Sequence, residues 1–150
     1  MTFSGAAAIA GIGATEFSKE SGRTELQLSA EATLAALEDA GLSTSDVDGL
    51  TTFTMDSTSE IALARELGMG DLRFFSRINY GGGAACGTVQ QAAMAVATGI
   101  ADVVVAYRGF NERSGQRFGQ VQKWAAEQVN TNGLDNAWSY PYGLSTPAAT

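Results

Sequence analysis

Hydrophobic and polar positions change period several times along this chain, and each change marks an element. The apolar run from Ala6 to Ile12, AAAIAGI, is short and continuous, the pattern of a strand covered on both faces, and Gly11 and Gly13 interrupt it. Leu26, Leu34 and Leu37, with Ala30 and Ala36, then recur at helical spacing. Thr24 stands three residues before Gln27 as a capping box, and Gly41 closes the stripe. DGLTTFT (48–54) is β-rich and predicts a strand. Ser57 and Glu60 form a second capping box ahead of the helix IALAREL, which Gly68 ends. LRFFSRI (72–78) alternates as a strand does, Thr88 to Thr98 is helical, and ADVVVAY (101–107) is strongly β-branched. The predicted order is βαβαβαβ.

Strands alternating with helices require crossover connections, so the expected fold class is α/β, a mainly parallel sheet with helices on both faces. Ligands of such sheets bind at the carboxyl ends of the strands. After Arg108 the chain turns polar and aromatic, with both tryptophans, both prolines and little periodicity. The division is therefore into a core, 1–108, and an excursion, 109–150. The closing STPAAT reads as the start of a further helix with Pro147 in its first turn, so the chain reads as unfinished.

Composition narrows the function classes. The chain has 150 residues, 45% of them hydrophobic, enough for one core. Nine basic residues against 16 acidic ones give a net charge of -7, which argues against a nucleic-acid partner and against anionic membrane surfaces. A single cysteine excludes an internal disulfide and, with no histidine, no zinc or haem ligand set is in view. A reducing cytoplasm fits this usage. The apolar start is too short for a membrane span and lacks the basic residues of a secretory signal.

The candidate chemistry is thin. GIGATE (Gly11 to Glu16) imitates a dinucleotide fingerprint, but Glu16 stands at the third glycine position and no helix opens directly after it, so it reads as a strand-ending turn. Gly81, Gly82 and Gly83 lie between a strand and a helix. There they serve equally to admit a ligand to backbone N–H groups or to allow close helix-to-sheet packing. Cys86, near the helix start, is placed for a lowered thiol pKa but lacks a histidine to activate it, and a small, inert, buried cysteine is the default. Tyr80, Tyr140 and Tyr142 are acid or donor candidates whose default is aromatic packing. Arg113 and Arg117 either meet phosphate or face solvent.

GIGATEFSKESGRTELQLSAEA, DVDGLTTFTMD, YGGGAACGTVQQAAMAVATGIADVVVAYRGFNERSGQRFGQ and SYPYGLSTPAA together resemble the thiolase superfamily, within it the lipid-transfer-protein branch, and most narrowly the steroid side-chain aldolases of actinobacterial cholesterol degradation. The resemblance implies the amino-terminal half of a thiolase fold, 1–108, followed by the start of a loop insertion, 109–150, with the carboxy-terminal half absent from this chain. It implies a retro-aldolase that cleaves a β-hydroxy steroid acyl-CoA to a 17-keto steroid and propionyl-CoA. No cofactor is implied beyond the CoA thioester substrate. A homodimer is implied, docked to an OB-fold acyl-CoA-binding protein, with residues 73–78 pairing across the two-fold axis. Thiolases hold a nucleophilic cysteine three residues after an asparagine and nineteen before the A-D-V strand opening. Counted from Asn79 and from Ala101, that position is Gly82. Cys86 lies one helical turn further on, about 6 Å along the axis. The resemblance thus leaves Tyr80, Gly81, Gly82, Gly83 and Cys86 as substrate-binding candidates. Cys86 is the one candidate nucleophile, and the acid–base groups are expected in the absent half. A non-catalytic lipid- or acyl-CoA-binding subunit, or a true acyltransferase using Cys86, are the competing readings.

Overall fold

The computed structural model describes residues 4–53, 58–78 and 85–111. The best-formed element follows directly from its local sequence. Helix α1 (Glu25–Ala40) opens at Thr24, whose Oγ1 accepts from the Gln27 N–H at 3.1 Å while Gln27 Oε1 accepts from the Thr24 N–H at 2.8 Å. It closes at Gly41, whose φ of 68° is the left-handed conformation that a side chain resists. The capping box and the stop are both where the spacing predicts them.

A 3-10 turn (Thr44–Asp46) leads into β1 (Gly49–Phe53), buried at every position. Helix α2 (Glu60–Glu66), β2 (Phe74–Ile78), α3 (Gly87–Ala97) and β3 (Val104–Ala106) complete the described order. The three strands are all parallel in the order β2-β1-β3, with Gly49 opposite Phe74 and Val104. Parallel pairing demands the crossovers that α2 and α3 supply. Leu50 packs with Leu37 of α1, Leu63 and Ala64 of α2, and Tyr107. The next position in the pleat belongs to the opposite face: Ser76, level with Thr51, bonds to Gln91 of α3. Helices therefore cover both faces, as the alternating pattern predicts.

Four expectations fail in instructive ways. Residues 6–12 form no strand. Strand geometry requires a neighbour's ladder, and among the described residues none runs beside them. The segment lies against α1 instead. A Cβ on Gly13 would stand 2.3 Å from the Ala32 carbonyl oxygen, one on Gly11 would stand 2.4 Å from that of Ala36, and the Ile12 N–H donates to Asp39 Oδ2 at 2.9 Å. Ile9 and Ile12, apolar in the sequence, face outward. Second, the cap of α2 is Ser59, whose Oγ accepts from the Ala62 N–H; Ser57 lies outside the described residues. With the cap at Ser59 the box position falls on Ala62, which has no carboxylate, and Arg77 of β2 engages both carboxylate oxygens of Glu60 at 3.2 and 2.9 Å. Third, Leu34 of the predicted apolar stripe is exposed, and Thr33 is buried in its stead. Fourth, Cys86 is exposed rather than buried. The buried residues of α3 are Thr88 and Ala95; at 100° per residue Cys86 is about 180° from Ala95 around the helix.

Candidate functional site

The amino ends of the strands are drawn together by one carboxylate. Asp48 accepts from the Asp102 and Val103 N–H groups, both at 2.9 Å through Oδ1, and from Arg73 Nη1 at 3.1 Å; Arg73 also reaches Asp102 at 3.1 Å. Burial alone would push the Asp48 carboxyl up. The Val103 and Asp102 amides and the Arg73 guanidinium outweigh it and hold the carboxyl below the usual range. This network joins β1, β2 and the approach to β3, and its chemistry is structural.

The carboxyl ends are built differently. Beyond β3 the Tyr107 N–H donates to the Thr51 carbonyl at 3.0 Å, the Tyr107 carbonyl accepts from Thr52 Oγ1 at 3.1 Å, and the Tyr107 hydroxyl donates to the Thr58 carbonyl at 2.9 Å. These bonds fix the chain where it leaves the sheet. Arg108 then lies over two rings, its guanidinium carbon 5.4 Å from the centroid of Phe53 and 4.8 Å from that of Phe110. On the other side of β1, Ile78 ends β2 and meets the first turn of α3, where a Cβ on Gly87 would make ordinary contact with the Ile78 side chain at 3.7 Å. The Arg77–Glu60 pair and the Ser76–Gln91 bond anchor β2 to α2 and α3 just before this end.

Of the sequence-predicted site residues, Tyr80, Gly81, Gly82 and Gly83 lie outside the described residues, as do Tyr140, Tyr142, Arg113 and Arg117. Cys86 occupies the position capping α3, with φ -64° and ψ -19°, and makes no side-chain cap bond. The Thr88 hydroxyl donates to the Ala85 carbonyl at 2.7 Å, closing the turn on which Cys86 stands. GIGATE carries no helix start, and Glu16 is spent on an ion pair with Arg23. Residues 79–84 join the carboxyl end of β2 to α3, so the glycines and Cys86 belong in sequence to the end of the sheet where ligands of this architecture are held. The Phe53–Arg108–Phe110 cluster was not visible in the sequence. Its only trace is a basic residue placed directly after the last predicted strand. Among the described residues no group of three histidine, cysteine, aspartate or glutamate side chains is arranged to hold a metal ion, and no helix is long and apolar enough to cross a membrane.

No family model matches the chain. Over 146 residues, 97% of its length, it is 72% identical to 17-hydroxy-3-oxo-4-pregnene-20-carboxyl-CoA lyase of Mycobacterium tuberculosis, and over 96% of its length it is 67% identical to a steroid side-chain-cleaving aldolase of Thermomonospora curvata. It spans 38% and 37% of those two proteins. A solved structure, an Ltp2-ChsH2(DUF35) aldolase, superposes with a TM-score of 0.74 at 66% identity over 95% of this chain and 35% of its own. A monomeric SCP2-thiolase-like protein from Mycobacterium smegmatis matches at a TM-score of 0.57 over 84% of this chain and 30% of its own, with 23% identity, a likeness of fold alone.

Proposed function

The chain belongs, over the stretch it spans, to the thiolase-like steroid side-chain-cleaving aldolases, and from that premise we propose that it is part of a carbon–carbon lyase acting on a β-hydroxy steroid acyl-CoA. The observation that carries the reading is identity of 72% and 67%, over nearly the whole chain, to proteins named as lyase and aldolase. The products are a 17-keto steroid and propionyl-CoA.

The chemistry needs no acyl-enzyme. A base takes the proton of the ring hydroxyl, the oxygen forms the ketone, and the bond to the side chain breaks with its electron pair passing to the α-carbon of the thioester. The resulting enolate takes a proton and leaves as the shortened acyl-CoA. The enzyme must accept the first proton and stabilise the enolate oxygen. A glycine at position 82, where thiolases hold their sulfur, is consistent with this, since the reaction has no use for a covalent nucleophile there. Gly81 to Gly83 supply backbone donors or simple room for that oxygen, next to a helix start whose dipole favours negative charge.

The assembly in this reading is a homodimer joined along β2, with an OB-fold acyl-CoA-binding partner. Two features support it. β2 lies at one edge of the described sheet with Phe75 two-thirds exposed, and the solved relative is an Ltp2-ChsH2(DUF35) aldolase. Turnover decides between lyase and binding module. The natural open reading frame that contains residues 1–150, given a 17-hydroxy steroid side-chain CoA thioester, is expected to yield 17-keto steroid; recovery of the thioester intact from folded, thioester-bound protein would establish a carrier instead.

A further inference from the structure

Among the described residues, the segment 6–13 is held against α1 but paired with no strand. A Cβ on Gly13 would stand 2.3 Å from the Ala32 carbonyl oxygen and 2.4 Å from the Ala36 nitrogen, and one on Gly11 would stand 2.4 Å from the Ala36 carbonyl oxygen and 2.7 Å from the Ala40 nitrogen. Only glycine permits so close an approach. Gly109, just beyond β3, meets α1 in the same way at Glu25 and Ser29. Positions 25, 29, 32, 36 and 40 recur at helical spacing, so residues 11–13 lie along the stripe of α1 to which β3 leads.

The segment has what a strand needs except a neighbour. Ile9 and Ile12 are 75% and 77% exposed, and residues 4–15 include no charged side chain and no proline of the kind that blunts a free edge. Among the described residues, the one hydrogen bond made by residues 6–12 is from the Ile12 N–H to Asp39. Apolar side chains favour burial, and backbone groups buried with them require partners; a ladder supplies both. The length of the relatives points to the occupant. This chain spans 38% and 37% of them, so more than half of each of those polypeptides lies outside the matching stretch. A strand of the same molecule arrives at high effective concentration, whereas a second copy with the same net charge of -7 is repelled. Residues 109–150 contain no comparable apolar run.

We infer that residues 6–12 are a docking edge, covered in the natural protein by a strand from the polypeptide beyond residue 150. This rests on the length of the relatives and not on the reaction, so loss of the lyase reading leaves it standing. The test uses the protein of the natural open reading frame. Hydrogen exchange, which needs no substitution, should show the amides of at least alternate residues from Ala7 to Gly11 exchanging about a hundredfold or more slower than in an unstructured peptide, at rates independent of protein concentration. With a photo-reactive phenylalanine analogue in place of Ile9 or, separately, of Ile12, illumination should give a product of monomer mass whose linked peptide lies beyond residue 150. Amides that exchange as in a free peptide, a link to residues 109–150, a product of doubled mass, or no link from either position would overturn the inference.

Discussion

The two ends of one small parallel sheet are stabilised by different chemistry. At the amino end a single carboxylate, Asp48, collects two backbone amides and a guanidinium, and the cluster is complete in itself. At the carboxyl end the hydrogen bonds of Tyr107 fix the backbone, while the charged group, Arg108, is supported by aromatic faces and is exposed. The first arrangement satisfies charge internally. The second packs a charge against two aromatic rings. The difference separates an end whose polar groups satisfy one another from the end at which ligands of parallel sheets are generally held, and substitutions should divide along the same line: stability at one end, turnover at the other.

The largest effect is expected from Gly82→Val, between the carboxyl end of β2 and α3. A side chain in the space approached by the thioester should lower kcat/KM more than about a hundredfold, the scale of a misplaced reacting group. The midpoint of thermal unfolding, measured beside it, should move little. Parental turnover in the folded variant would remove this loop from the active site.

Next comes the opposite end. Asp48→Ala leaves the Asp102 and Val103 amides and Arg73 without their shared acceptor and should cost about 2–3 kcal/mol in denaturant unfolding, with KM unchanged in the protein that remains folded. The pH dependence sharpens this. Because folding lowers the Asp48 pKa, the carboxylate contributes its stability above the unfolded value, about 3.9, and loses it as pH falls through the folded value. The gap between parent and variant should therefore hold from neutral pH down to about pH 4 and close below it. A gap that stays constant into strong acid would show that the carboxylate's charge is irrelevant.

The smallest effect is reserved for Cys86. Exposed and on the face of α3 opposite its buried residues, it should tolerate serine with stability within about 0.5 kcal/mol and activity within about tenfold. Loss approaching 10⁴-fold in folded protein would mark a covalent nucleophile.

Local sequence and tertiary partners account for what was legible. The capping box of α1, its glycine stop and the three paired strands were legible because their signals lie within a few residues of one another. AAAIAGI and GLTTF carry comparable apolar signals, yet only the second meets neighbours on both edges and becomes a strand. The α2 cap is Ser59, and the Glu60 carboxylate expected to complete a box is held by Arg77, seventeen residues away, a partner that no local pattern announces. The candidate site was legible in part. The resemblance located Tyr80 to Gly83, outside the described residues, and Cys86, whereas no local pattern could bring Phe53 under Arg108, which follows it by 55 residues.

The central claim, cleavage without thiolysis, is tested most directly by counting CoA. Protein from the natural open reading frame is incubated with a β-hydroxy steroid acyl-CoA in buffer stripped of free CoA, and ketone, propionyl-CoA and free thiol are quantified together. The account predicts one propionyl-CoA for each 17-keto steroid, with no dependence on added CoA and no thiol consumed. Product that appears only when free CoA is supplied, with one thiol consumed per turnover, would contradict it.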